Sequence, residues 1–188
     1  MFGCKGLRIV LRILIWGIIV LVGCYAAVRL LFPLHYRSQL ELYGKQYNVD
    51  PLLLAAVIRA ESKFYPRAKS QVGALGLMQI VPQTGDWAAR EMGLVDFDID
   101  KLFDPAVNIH VGAWYLHGLV EEFDGDLVLA LAAYNCGRGN VKKWLETKQE
   151  TRAGIDLNGL PYAETRSYVR KVLRNYYWYQ RIYRSNPL

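Results

Sequence analysis

The sequence predicts an all-α protein, with one helical domain of about 150 residues following a single membrane-spanning helix. Three observations carry this expectation. Apolar residues recur at spacings of three and four through most of the chain, and no alternating strand pattern of any length occurs. Helix boundaries are punctuated by Asp50-Pro51, Asp104-Pro105, Gly93 and Gly125. Ile13 to Val28 carries no charge.

That uncharged run, with apolar residues from Ile9 to Leu11 and from Leu30 to Phe32 on either side, is about the length needed to cross a bilayer. Lys5, Arg8 and Arg12 precede it, as expected for a cytoplasmic N-terminus. Residues 1–35 are read as a retained signal anchor and 36–188 as an extracytoplasmic domain on a single-pass protein of the bacterial cell membrane. Two alternatives stand beside this. Leu21-Val22-Gly23-Cys24 resembles a lipobox, which would make the chain a lipoprotein anchored at Cys24, although Tyr25 to Leu34 stays mostly apolar. Cleavage after Ala26-Ala27 is the third reading.

In the domain, Tyr36 to Tyr47 reads as a short helix with Leu40, Tyr43 and Tyr47 at helical spacing. Asp50 is a good N-cap and Pro51 suits the first helical position of the next. Leu52 to Ala60 is apolar except for Arg59, and Glu61 follows. Leu54 and Ile58 fall on the stripe of Glu61, so the carboxylate ends an apolar face. Burial there would raise its pKa, the profile of a general acid. A partly exposed Glu at a fraying helix end is the plainer reading of this stretch alone.

Phe64-Tyr65-Pro66 ends that helix. In the apolar stretch from Ala68 to Gln83, Gly73 and Gly76 permit a tight backbone, and the lone amide of Gln79 either satisfies backbone groups or reaches into a pocket. Thr84 to Met92 is helical and stopped by Gly93. Asp96, Asp98 and Asp100 lie in an acidic loop lacking the glycine and terminal Glu of an EF-hand. A long amphipathic helix runs from Pro105 to about Phe123, with Ile109, Ala113, Leu116 and Val120 on one face. Asp126 to Asn135 is a very apolar helix ending in Tyr134-Asn135, a pair suited either to lining a groove or to stopping a helix. Val141 to Leu145 restarts helical, Lys148 to Leu160 reads as loop, and Pro161 opens a last helix from Tyr162 to about Tyr183.

Charge narrows the function classes. All 17 acids follow position 40, and beyond the N-terminal segment nineteen bases face them, a net charge of +2. The segment 91–126 is acidic and 138–188 basic; the latter is either an anion-facing end or a solvated helical face. No nucleic-acid motif is present. Cys4, Cys24 and Cys136 form no disulfide framework, and His110 and His117 are too far apart for the usual metal pair, so no metal site is expected.

Four motifs in order resemble the catalytic domain of the soluble lytic transglycosylases, the SLT-type domain related to goose-type lysozyme. They are Glu61-Ser62 after an apolar helix; Ser70-Gln71-Val72-Gly73-Ala74-Leu75-Gly76-Leu77-Met78-Gln79; Ala133-Tyr134-Asn135-Cys136-Gly137-Arg138-Gly139; and Glu164-Thr165-Arg166-Ser167-Tyr168-Val169. The resemblance spans roughly Tyr36 to Tyr183. It implies a lysozyme-like helical fold with a saccharide groove, peptidoglycan glycan strands as the partner, and no cofactor. It also implies cleavage of the β-1,4 bond between N-acetylmuramic acid and N-acetylglucosamine, leaving 1,6-anhydro-muramic ends. Glu61 matches the catalytic acid/base. Ser70, Gln79 and Tyr134 match positions near the scissile sugars, and Asn135, Glu164 and Tyr168 match groove or supporting positions. The motifs offer one well-placed carboxylate where most glycosidases use two. A hydrolytic muramidase and a non-catalytic wall-binding scaffold on the same fold are the alternatives. A monomer is expected.

Overall fold

A computed structural model describes residues 3–148 and 157–184. Residues 1–34 and 35–188 form two separate compact units. The regular elements among the described residues are all helices, with no strand and only isolated bridges pairing Leu75 with Lys69 and Ile80.

The first unit is one helix, α1 (Gly3–Leu31). Its Ile9–Leu31 portion has a mean hydropathy of 2.4 over its most apolar stretch and is long and apolar enough to cross a membrane. Ile13, Trp16, Ile19 and Leu21 all lie open on its surface, so apolar side chains surround the helix rather than forming one face.

In the second unit, α2 (Arg37–Gln46) leads to α3 (Pro51–Glu61). Asp50 Oδ1 accepts the Leu52 N–H at 2.8 Å, as its capping sequence predicts. Its other oxygen accepts the Tyr176 hydroxyl at 2.7 Å and pairs with Arg184 at 3.2 Å, which ties the start of α3 to the end of the chain. From Leu53 to Ile58 every α3 side chain is buried, making this the central helix. The last helix, α8 (Ala163–Tyr183), packs along it.

Pro82–Met92 forms α4, starting two residues before the expected Thr84, with Pro82 in the first turn. The acidic loop closes as a short 3-10 helix, Ile99–Phe103, capped by Asp98. Asp104 caps α5 (Pro105–Glu122) through the Ala106 and Val107 N–H groups at 2.7 and 3.1 Å. Asp126 caps α6 (Leu127–Cys136) in the same way, and α7 (Arg138–Lys148) follows. The loop expected over Lys148 to Leu160 lies largely outside the described residues; its end, Leu157–Gly159, is one 3-10 turn. Thus α3 and α6 end facing a loop, residues 68–81, that crosses between them.

Candidate active site

Glu61 is the last residue of α3 and is half-buried. It lines a cleft of about 290 Å³ with Ser70, Val72, Gln79, Thr84, Tyr115, Tyr134, Asn135 and Gly137 among its neighbours. Burial raises its pKa to about 7, against a smaller downward pull from Tyr168 and the Lys171 ammonium. The carboxyl therefore holds its proton near neutral pH. Tyr168 is buried and its hydroxyl faces this carboxyl, but it falls short of a well-formed hydrogen bond and has no other partner. Lys171 donates to the Ala60 carbonyl and so sits at the C-terminal end of α3, where a cation is favoured.

The crossing loop is stitched by its own side chains. Ser70 Oγ accepts the Ala74 N–H at 3.0 Å. Gln79 Nε2 donates to the Gly76 and Ala68 carbonyls at 2.8 and 3.2 Å. Gln79 thus meets both readings of its sequence context: it satisfies backbone groups and it lines the cleft. Its φ of 50° is a strained conformation that these bonds hold. Gly76, at φ 75°, lets the loop approach α5: a Cβ there would lie 2.1 Å from the Leu102 carbonyl oxygen and 2.3 Å from Asn108 Nδ2.

Buried Asn108 pins the loop from beneath. Its Oδ1 accepts the Met78 N–H at 2.7 Å, and its Nδ2 donates to the Leu75 and Leu102 carbonyls at 3.0 and 2.7 Å. From α6, the Tyr134 hydroxyl donates to the Met78 carbonyl at 2.7 Å. Burial, then the nearby Glu61 carboxyl, raises the Tyr134 pKa well above its ordinary value, so this phenol stays a donor. Tyr115 of α5 stands beside it, ring centres 5.5 Å apart.

A sequence model of the transglycosylase SLT domain matches residues 40–156. The chain belongs to this family. The SLT domain here is 35% identical, over 144 residues, to the soluble lytic murein transglycosylase of Salmonella typhimurium, covering 76% of this chain and 22% of that protein. The 70 kDa soluble lytic transglycosylase of Escherichia coli superposes with a TM-score of 0.76 at 33% identity, over 82% of this chain and 25% of that one. An inactive glutamate-to-glutamine mutant of the lytic transglycosylase Slt from Pseudomonas aeruginosa gives 0.73 at 33% identity, over 83% and 25%. The chain spans about a quarter of the length of these relatives. The all-α, lysozyme-like fold implied by the motifs is the fold observed.

The SLT fold brings Glu61, Ser70, Gln79, Tyr134 and Asn135 to one cleft. Tyr168 lies behind Glu61 rather than on the cleft surface, and Glu164 is exposed in the first turn of α8, outside the cleft lining. Asp86 is likewise exposed and outside it. Among the described cleft-lining residues Glu61 is the one acid. Sequence reasoning missed Asn108, Lys171 and Tyr115. Asn108 gave a signal, as a lone amide beside Ile109 on the face that α5 buries. The other two gave none.

Proposed function

We propose that this domain is a peptidoglycan lytic transglycosylase in which Glu61 serves as both acid and base. The observation that carries this is a carboxyl with its pKa raised to about 7, the one acid among the described residues of a cleft walled by Tyr115 and Tyr134. A general acid works best when its pKa lies near the working pH. The names of the relatives, and the inactivity of the Pseudomonas aeruginosa glutamate mutant, support the same reading.

The reaction balances with a single protein group. Protonated Glu61 gives its proton to the glycosidic oxygen between N-acetylmuramic acid and N-acetylglucosamine, and the C1–O bond breaks. The substrate's own N-acetyl carbonyl oxygen closes on C1. The Glu61 carboxylate then takes the proton of the C6 hydroxyl, whose oxygen displaces the acetamido oxygen from C1 and forms the 1,6-anhydro ring. Glu61 ends protonated, as it began. Ser70, Gln79, Tyr134 and Asn135 contact the sugars, and Tyr168 and Lys171 position and tune the acid. Hydrolysis on the same fold would require a second group to activate water, and Asp86 and Glu164 both lie outside the cleft lining.

Mass spectrometry of peptidoglycan fragments after digestion tests this. Anhydro-muramic ends, lighter by one water than reducing ends, are expected. Reducing ends would make the protein a muramidase, and binding without cleavage would make it a scaffold.

The Ile9–Leu31 helix is assigned as a single-pass anchor with Lys5, Arg8 and Arg12 on the cytoplasmic side. The apolar run continues from Tyr25 to Leu34 with Arg29 its one charge, where a lipoprotein usually carries a polar tether, and this favours the intact anchor over lipidation at Cys24. An intact N-terminus in the membrane-extracted protein is the expected result; a lipidated Cys24 would overturn it.

A further inference from the structure

Part of the basic surplus after position 138 stands on the outer face of α8. At about 100° per residue, Arg170, Arg174, Tyr177, Trp178 and Arg181 fall within roughly a third of the helix circumference. All five are exposed, and no acid stands among them. The single acid of α8 is Glu164, in its first turn. Tyr177 and Trp178 are 50% and 46% exposed and meet edge to face, ring centres 5.7 Å apart. The Arg181 guanidinium lies over the Tyr177 ring, 5.3 Å from its centre. Nothing in the proposed reaction uses these groups, and none of the five lines the cleft.

The positive character continues onto the end of α3. The pKa of Lys171 is lowered by burial, and Lys63, Arg59 and Arg174 push it further down against the pull of Glu61. Lys63 is exposed, and the next residue, Phe64, packs edge-on against His35, ring centres 5.7 Å apart. His35 is where the chain enters the domain, four residues after α1 ends at Leu31. A link of that length spans at most about 14 Å when fully extended. The basic face therefore begins beside the domain's point of attachment.

We propose that this face of α8 binds an anionic phospholipid surface, that of the membrane in which the anchor sits; the inference rests on reading α1 as a membrane anchor. Three features select a lipid surface. Tyr and Trp side chains settle at the level of the headgroups, where the ring is buried and its polar edge stays wet. The arginines around them match headgroup phosphates in charge and in their planar donor geometry, whereas a glycan of N-acetylated sugars offers them no charge. The short link holds the face at a high effective concentration of lipid, so contacts that are weak one by one suffice together. Seated in this way, the domain keeps its cleft open to glycan, because the lipid covers none of the cleft lining.

Trp178 fluorescence in the full-length protein, reconstituted in lipid nanodiscs, is the test. Discs of phosphatidylcholine alone are compared with discs rich in phosphatidylglycerol, each carrying lipid brominated near the headgroup end of its chains as the quencher. Subtracting the signal of Trp178→Phe isolates Trp178, and subtracting that of Trp16→Phe isolates the tryptophan of the anchor. In anionic discs Trp178 is expected to lose about half of its emission and in neutral discs almost none, and raised salt should restore it. Arg170→Gln, Arg174→Gln and Arg181→Gln together should abolish the quenching of Trp178 and leave that of Trp16, and the melting temperature, in place. Equal quenching of Trp178 in both kinds of disc, no quenching in either, or quenching that survives the triple variant would overturn the proposal. A Trp178 that anionic lipid leaves bright but an added glycerol-phosphate polymer shields would assign the face to a wall polymer and overturn it equally. An unquenched Trp16 would instead sink the reading of α1 as an anchor, and this inference with it.

Discussion

Asn108 accepts the Met78 N–H at 2.7 Å, and this bond links the middle of the crossing loop to the buried face of α5. The same side chain holds the Leu75 and Leu102 carbonyls. Asn108→Ala would leave the buried Met78 N–H and Leu102 carbonyl unpaired, while the Leu75 carbonyl keeps the Ile80 N–H at 3.0 Å. Each unpaired group costs roughly 1–3 kcal/mol, so a loss of at least about 2 kcal/mol is expected. For a chain of this size that is a fall in Tm of at least roughly 4–8 °C, readable by calorimetry. Ser70 and Gln79 stand on the same loop, so activity should be lost at temperatures below the melting temperature of the variant. A Tm within a degree or two of the parent would show that the pin is dispensable.

Glu61→Gln should abolish cleavage and yet stabilise the fold at alkaline pH. The carboxyl titrates near 4.5 in the unfolded chain and at about 7 in the folded one. Between those values the folded state binds the extra proton, so stability is lost as pH rises through the window. The full penalty, of order 3 kcal/mol before allowance for partial solvent access, applies above pH 7. The neutral amide escapes it. Melting curves at pH 4 and pH 8 check this, with a gain expected only at pH 8; an equal gain at both would mean that Glu61 is not desolvated.

The alkaline limb of the activity profile should report the same acid. With protonated Glu61 required, kcat/KM is expected to fall about tenfold per pH unit above roughly 7. Tyr168 and Lys171 both pull the Glu61 pKa down. Tyr168→Phe and Lys171→Met should therefore each move the limb to higher pH. At pH 4, where Glu61 is neutral, Tyr168→Phe removes a buried hydroxyl that makes no well-formed hydrogen bond, so its melting temperature there should hold or rise. A limb that stays in place in both variants would assign these residues to packing alone.

Local chemistry was legible wherever it depends on near neighbours. The caps at Asp50, Asp104 and Asp126 need only the next few residues, and all three bonds form. The apolar stripe under Glu61 likewise follows from spacing, and Leu54 and Ile58 are fully buried. The start of α7 was not legible, because Gly137 and Gly139 both look like breakers. Only Gly137, at φ 89°, turns the chain, and helix begins at Arg138. Partners remote in sequence were hidden altogether. Lys171 meets Ala60 across 111 positions, through the packing of α8 on α3, and within its own helix it reads as one of several solvated cations. The cleft itself became legible only through four motifs taken together, since no single one distinguishes a groove from a helix end.

Gly112 and Met78 give the sharpest test of how tightly α5 supports the loop. A Cβ on Gly112 would sit 2.3 Å from Met78 Sδ and 2.8 Å from its Cε. Both residues are buried, so the thioether has little room to retreat. Gly112→Ala is expected to cost roughly 1–3 kcal/mol through overpacking. Met78→Ala alone leaves a cavity and should cost about 2–5 kcal/mol. It keeps the backbone N–H and carbonyl that Asn108 and Tyr134 hold. In the double variant the new methyl enters the space that Sδ and Cε vacate. The two losses should then sum to less than their separate values, with a coupling of about 1 kcal/mol or more in a double-mutant cycle. Simple additivity would mean that the loop shifts away from α5 when Gly112 is enlarged, and activity would then fall in the Gly112→Ala variant more than its stability accounts for.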